Sequence, residues 1–157
     1  MNEKREQHEK SESKTRILIV DDHPVVRQGL IQLINHESDL VVSAEAENAA
    51  QALEVLEKES VDIAVVDISL NGTNGIQLTE KIKSKYPDLP VLILTIHDEA
   101  VYAQRALEAG AKGYVNKREA AETVISAIRL VLSGKQYINE KRTGDVLKAL
   151  RTNGSHC

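Results

Sequence analysis

The sequence predicts a doubly wound α/β fold: a five-stranded parallel sheet flanked by helices in three α/β/α layers. From Arg16 onward, short apolar runs rich in β-branched residues alternate with longer segments of helical period. Strands that are apolar at nearly every position are typical of a parallel sheet covered on both faces, and no hairpin turn signal joins one run to the next. A chain of 157 residues with 41% hydrophobic and 28% charged residues suits one such domain.

Five apolar runs define the strands in chain order, at residues 17–20, 40–44, 63–66, 91–94 and 113–115. The helices between them are predicted to begin near Pro24, Asn48, Gly75 and Glu99, with the fifth helix at residues 119–133. Apolar residues of the fifth helix recur at helical spacing and should pack on the sheet, namely Ala121, Val124, Ile125, Ile128 and Leu132. Leu130 falls on the opposite, polar side, either as a stray apolar residue or as part of a partner surface.

Both ends of the chain are predicted to lie outside this domain. Residues 1–15 are almost wholly polar with mixed charge, which predicts a disordered arm. The domain spans residues 16–137. Residues 138–157 contain Val146, Leu147 and Leu150 at helical spacing, which predicts a tail helix that acts as a linker.

Composition and charge argue against several classes of protein. Lys and Arg number 20 against 24 Asp and Glu, so the chain lacks the positive surplus with which proteins grip DNA by themselves. Four Tyr and no Trp or Phe disfavour an aromatic platform for single-stranded nucleic acid. The single Cys, at position 157, cannot form an internal disulfide and suits a reducing compartment. Without an apolar run of about 20 residues or a signal peptide, we expect a cytoplasmic protein with no membrane contact.

Polar residues follow the carboxyl ends of four predicted strands. They are Asp21 and Asp22 after the first, Asp67 after the third, Thr95 after the fourth and Lys117 after the fifth. In an open parallel sheet the ligand site lies at this edge, outside the carboxyl ends of the strands. We therefore expect three carboxylates, one hydroxyl and one ammonium to converge.

Such a set of charges suits phosphoryl chemistry. Three adjacent carboxylates cannot all ionise without compensation, and a hard divalent cation supplies it, with Mg²⁺ expected and Mn²⁺ as the alternative ion. A carboxylate can then act as the nucleophile, while the cation, the ammonium and the hydroxyl contact the phosphoryl oxygens. The sequence contains no G-x-S-x-G elbow, no P-loop and no G-x-G-x-x-G after the first strand, which disfavours serine hydrolases and nucleotide binding.

These residues and their surroundings resemble the receiver domain of response regulators. The stretches DDHPVVRQGL at 21–30, LTIHD at 94–98 and ALEAGAKGYVNK at 106–117 are similar to the NarL/FixJ subfamily. The resemblance covers about residues 15–139. It implies a CheY-like (flavodoxin-like) fold that a partner histidine kinase phosphorylates on Asp67.

The resemblance also implies a role for each site residue. Asp21 and Asp22 would hold Mg²⁺ together with Asp67 and the backbone carbonyl of Ser69. Thr95 and Lys117 would contact the phosphoryl group. These two, with the acceptor Asp67, would form the catalytic set.

A switch and a rate control are predicted beside that set. The resemblance makes Tyr114 the aromatic side chain that changes rotamer on activation, in concert with Thr95. Ser69 and His97 stand two residues after Asp67 and Thr95. Their side chains can border the path of an attacking water, so we expect them to tune the rate of dephosphorylation.

Proteins of this subfamily usually continue into a helix-turn-helix, whereas this chain stops at Cys157. The resemblance implies a phosphorylation-dependent homodimer through the first and fifth helices and a transcriptional output. DNA would be bound only through an output domain absent from this chain. The alternative is a stand-alone receiver that acts as a phosphotransfer or protein-binding module.

Other interpretations stay open for single residues. Asp21 and Asp22 precede His-Pro and could cap the first helix, and Tyr114 could be an ordinary core residue. His23 and His97 are predicted to be exposed or to lie behind the ligands, because no Cys/His cluster of zinc spacing exists.

A remote alternative for the whole chain is a Mg²⁺-dependent aspartyl phosphatase. That enzyme would need a second Asp two residues after the nucleophile, where Ser69 stands. We therefore predict no enzymatic activity beyond the chain's own phosphorylation and dephosphorylation.

Overall fold

A parallel sheet runs through the described residues of this computed structural model, which are 14–68, 74–95, 100–116 and 121–138. Within these residues the sheet has six strands in the spatial order β2-β1-β3-β4-β5-β6. The strands are β1 Thr15–Val20, β2 Leu40–Ala46, β3 Ile63–Asp67, β4 Val91–Thr95, β5 Gly113–Asn116 and β6 Tyr137–Ile138. Each neighbouring pair is parallel, so all the carboxyl ends lie at one edge.

Helices cover both faces of this sheet. They are α1 Pro24–Asn35, α2 Ala49–Lys58, α3 Gly75–Lys85, α4 Ala100–Glu108 and α5 Ala121–Leu132. Buried residues of α2, α3 and α4 join one core cluster, and buried residues of α1 and α5 join the other. The predicted three-layer α/β/α architecture is confirmed.

The central strands are apolar because alternate residues feed the two core clusters. In β1, Leu18 and Val20 belong to the cluster under α2–α4, whereas Ile17 and Ile19 belong to the cluster under α1 and α5. All four are fully buried, and burying each such side chain contributes about 1.5–3 kcal/mol. This apolar burial stabilises the strands side by side in the sheet. The polar residues at their carboxyl ends therefore lie along one edge of the sheet.

The predicted elements match the observed ones closely. Helix α1 begins at Pro24 and α3 at Gly75, and Asn48 is the N-cap of α2, where its side chain accepts a hydrogen bond from the Gln51 N–H. The predicted stripe of α5 faces the sheet, with its buried members Val124, Ile125 and Ile128 in the core. Leu132 packs against the same cluster.

A sixth strand was not predicted from the sequence. Strand β6 contains two residues and adds to the edge of β5, where the Tyr137 N–H donates to the carbonyl of Lys112 at 2.9 Å. Two residues are too few to show a strand pattern. The predicted polar arm lies almost wholly, and the predicted tail helix wholly, outside the described residues.

Helix α5 is also tied to the turn between α1 and β2. The Arg129 guanidinium donates to Glu37 Oε1 and to Asp39 Oδ1, both at 2.8 Å. That hydrogen bond lowers the pKa of Asp39 below its usual range. The Arg129–Asp39 pair is exposed to solvent, so it adds little stability and serves mainly to orient α5. Within the described part of the chain, no helix is long and apolar enough to cross a membrane.

Candidate functional site

Three carboxylates meet at the carboxyl edge of the sheet. Asp21 directly follows β1 and Asp67 ends β3, and these strands are paired in register from Ile17 to Val20. Asp21 is fully buried and Asp67 is 2% exposed, while the Asp22 side chain is 23% exposed. One oxygen of each carboxylate and one ring nitrogen of His23 all lie within 4.8 Å of one another. The structure therefore brings together the three acidic residues that the sequence singled out.

The backbone of the chain closes tightly around Asp67. The Ile68 N–H donates to the carbonyl of Leu94 at 2.8 Å, and the Gly75 N–H donates to the carbonyl of Ile68 at 2.7 Å. A Cβ on Gly75 would press on the Asp67 carbonyl oxygen and lie 2.8 Å from Cα of Ile68. Glycine at this position thus allows α3 to begin directly against the end of β3.

Arg27 braces the other side of the cluster, a role that the sequence pattern does not reveal. Its Nη1 donates to the backbone carbonyl of Asp21 at 2.6 Å, and its Nε donates to Glu45 Oε1 at 3.0 Å. The side chain is only 12% exposed. It links α1, the end of β1 and β2, so it holds the loop that carries Asp21 and Asp22.

His23 lies against the carboxylates although its side chain is 60% exposed. Its backbone N–H donates to Asp21 Oδ1 at 2.8 Å. It occupies the N-cap of α1, with Pro24 at the first helical position and no side-chain capping bond. The interpretation of Asp21 or Asp22 as the N-cap is therefore wrong.

The donor set fits a hard divalent cation. Asp22 Oδ1 is buried and receives no well-directed hydrogen bond from the described residues, although Nδ1 of His23 lies within ion-pairing distance. Buried like charges at this spacing need a counter-charge, and carboxylate oxygens are the ligands that Mg²⁺ and Mn²⁺ accept. Asp21, Asp22 and Asp67 are the residues that would hold such an ion.

Thr95 and Tyr114 share the face of the sheet that α2, α3 and α4 cover. Thr95 ends β4, is fully buried and pairs with Asn116, whereas Tyr114 pairs with Ile93, two positions earlier. Tyr114 is 3% exposed and belongs to the same core cluster as Ile93. In this structure Tyr114 is a core residue, placed on the strand next to Thr95, and its switch role stays a prediction.

Three of the predicted site residues lie outside the described residues: Ser69, His97 and Lys117. The predicted Ser69 carbonyl ligand, the Lys117 ammonium and the rate control by Ser69 and His97 therefore stay predictions.

The comparisons with known proteins agree with this fold. The Response regulator receiver domain family matches residues 17–129. Transcriptional regulatory protein DegU from Brevibacillus brevis is 36% identical over 141 residues, which is 90% of this chain and 60% of DegU. A two-component response regulator of the LuxR family from Aurantimonas sp. superposes with a TM-score of 0.82 at 34% identity, over 87% of this chain and 98% of that chain.

A third relative is a NarL protein, and the sequence motifs resemble the NarL/FixJ subfamily. The signal receiver domain of the response regulator NarL from Mycobacterium tuberculosis superposes with a TM-score of 0.74 at 28% identity, over 78% of this chain and 99% of that chain. The chain has a parallel sheet with acidic residues at its carboxyl edge, and the family matches most of the chain's length. The chain therefore belongs to the response regulator receiver domain family. Its relatives are regulators of the NarL and LuxR type, and the chain spans about 60% of the length of DegU.

Replacing Gly75 by alanine tests the close approach of α3 to the acceptor strand. We expect Gly75→Ala to lower the free energy of unfolding by about 1–3 kcal/mol, because the new methyl group has to displace backbone rather than a flexible side chain. Urea denaturation at equilibrium measures the change.

Gly29→Ala is the matched control. Gly29 lies inside α1, and a Cβ added there would meet nothing within 4 Å, so alanine at this position should raise stability by about 0.5–1 kcal/mol. A Gly75→Ala chain as stable as the Gly29→Ala chain would contradict the packing described here.

Proposed function

We propose that this chain accepts a phosphoryl group on Asp67 from a histidine kinase, with Mg²⁺ or Mn²⁺ held by Asp21, Asp22 and Asp67. The observation that carries the proposal is the cluster itself: oxygens of three carboxylates within 4.8 Å of one another, at the rim where ligands of a parallel sheet bind. Membership of the receiver family supports the same conclusion. We assign the protein to the cytoplasm, with no enzymatic activity beyond its own phosphorylation and dephosphorylation.

The transfer is a displacement at phosphorus. An oxygen of Asp67 attacks the phosphorus of the phosphohistidine, the P–O bond forms, the P–N bond breaks, and the imidazole nitrogen takes up a proton. The divalent ion, when bound, supplies positive charge that offsets the charge on the carboxylates and the phosphoryl oxygens. Thr95 and Lys117 would contact those oxygens, and the carbonyl of Ser69 would supply a further oxygen ligand.

The signal leaves the site through Thr95 and Tyr114. A phosphoryl group on Asp67 draws the Thr95 hydroxyl toward it, and the Tyr114 ring moves into the space that Thr95 vacates. The two residues lie on neighbouring strands of one face, two positions apart. A tenfold shift between two conformations needs only about 1.4 kcal/mol, which one charge-assisted hydrogen bond can supply.

Phosphorylation of the chain leads to self-association, and this self-association serves transcriptional control. Helix α1 exposes Val25 to 85% and Val26 to 38%, and α5 lies beside α1 on the same face of the sheet. An apolar patch of this kind suits a second copy of the chain. The printed name of DegU describes a transcriptional regulator, and we propose the same role here, with DNA contacted through an output domain.

Phosphorylation of Asp67 is tested with a small-molecule donor. Incubation with acetyl phosphate and Mg²⁺ should add one phosphoryl group, measured by intact-protein mass spectrometry, and Asp67→Asn should remove that gain because its amide is not a nucleophile. EDTA should suppress the labelling of the wild-type chain.

The control variant is Asp62→Asn, which changes an exposed aspartate just before the opposite end of the same strand. It should label like the wild type. Full labelling of Asp67→Asn, or labelling that EDTA leaves unchanged, would show that the acceptor or the ion has been assigned wrongly.

Self-association is tested by sedimentation velocity with and without acetyl phosphate and Mg²⁺. The phosphorylated chain should shift toward a dimer, and Val25→Asp should abolish that shift while leaving phosphorylation intact, because it buries a charge in the contact. Ser84→Asp, at an exposed position of α3 on the other face, should dimerise normally.

A DNA mobility-shift assay accompanies this measurement. With a net charge of −4, the chain should show no specific DNA binding in either state. An unchanged sedimentation coefficient on phosphorylation would refute the dimer, and tight sequence-specific DNA binding by this chain would refute the need for an output domain.

A further inference from the structure

The imidazole of His23 is the one nitrogen donor in the acidic cluster that the described residues form. Its Nδ1 lies 3.0 Å from Asp22 Oδ1, 3.2 Å from Asp21 Oδ1 and 3.7 Å from Asp67 Oδ2. It therefore faces all three carboxylates at once, and it is within hydrogen-bonding distance of Asp21 Oδ1.

These separations suit neighbouring ligands of a single ion. Donors about 2.1 Å from a metal are about 3.0 Å apart when they subtend a right angle, as in octahedral coordination, and about 4.2 Å apart when they lie opposite. The three distances from Nδ1 fall between these limits. One oxygen of each carboxylate and the imidazole lie within 4.8 Å of one another, so side-chain movements within the cluster would bring them around a common centre.

The backbone keeps the ring at the rim. The His23 N–H donates to Asp21 Oδ1, so the backbone of His23 is anchored to the cluster itself. Pro24 restricts the conformation of His23 from the other side. With the side chain 60% exposed, an ion that arrives from solvent reaches Nδ1 without displacing core residues.

We propose that His23 is a further protein ligand, through Nδ1, of the divalent ion that binds to this cluster. This inference rests on the proposed metal site and refines it from an all-oxygen site to a mixed oxygen–nitrogen site. It replaces the interpretation of His23 as merely exposed or lying behind the ligands.

The consequence is a preference among metal ions. Mg²⁺ binds carboxylates and water and gains little from an imidazole, whereas Mn²⁺, Co²⁺ and Ni²⁺ accept nitrogen with affinity that rises along this series. His23 thus raises the affinity for Co²⁺ and Ni²⁺ relative to Mg²⁺ above that of the three carboxylates alone.

Nitrogen coordination can be observed directly with Mn²⁺ as the probe. Pulsed electron paramagnetic resonance of the full chain with one equivalent of Mn²⁺ should show coupling to a ¹⁴N nucleus. His23→Ala should remove that coupling. His36→Ala, which changes an exposed histidine at the C-cap of the same helix, should retain it.

Affinities provide the second measurement. The affinities for Ni²⁺ and Mg²⁺ are measured in separate calorimetric titrations. The Ni²⁺ titration is then repeated in excess Mg²⁺, and only the Ni²⁺ binding that Mg²⁺ suppresses is assigned to this site. His23→Ala should weaken this Ni²⁺ binding at least about tenfold, since even partners behind the ligands cost about 10–100-fold, and should leave Mg²⁺ affinity little changed. His23→Asn, which keeps a residue favoured at an N-cap, should behave in the same way and shows that the loss is not one of folding.

The outcomes separate this inference from the proposed function. If Mg²⁺ and Mn²⁺ bind but the wild-type chain shows no ¹⁴N coupling, the oxygen site stands and His23 is not a ligand. Coupling that persists in His23→Ala also refutes the assignment, because another nitrogen then supplies it. If neither ion binds, both the proposed metal site and the role of His23 are wrong.

Discussion

Repulsion between three carboxylates held at one edge of a parallel sheet is the constraint on which the rest of this structure depends. Two unit charges 4 Å apart interact by about 4 kcal/mol at the effective dielectric constant typical of protein surfaces, and Asp21 and Asp67 are almost completely buried. The apolar strands that precede them supply the opposing stability. Because of this repulsion, the electrostatic free energy of the site changes strongly when a cation or a phosphoryl group binds.

The neighbouring elements hold this cluster in place. The parallel register of β1 and β3 brings Asp21 beside Asp67, Arg27 grips the backbone of Asp21, and Gly75 lets α3 start against the end of β3. None of these three contacts neutralises a carboxylate side chain. Packing and hydrogen bonds offset the cost of positioning the charge, and a bound cation would add further compensating charge.

The sheet, its helices and the acidic rim could be predicted from the sequence because each depends on local pattern. Continuous apolar runs predict parallel strands that are covered on both faces. Because the strands are parallel, the polar residues that follow them lie at the same edge of the sheet. The contacts of Arg27 and His23 could not be predicted, since they depend on side-chain directions set by packing between α1, β2 and β3. Strand β6 is too short to leave a pattern, and Ser69, His97 and Lys117 lie outside the described residues.

Unfolding of Asp22→Asn with and without Mg²⁺ tests the central role of charge repulsion most directly. Asp22 Oδ1 receives no well-directed hydrogen bond within the described chain, so its neutralisation should raise the unfolding midpoint of the metal-free protein. Mg²⁺ at 100 times its Kd should stabilise the wild type by about 2.7 kcal/mol, and Asp22→Asn much less, whereas Asp62→Asn should respond like the wild type. A metal-free Asp22→Asn chain that is less stable than the wild type, with an undiminished response to Mg²⁺, would contradict this account.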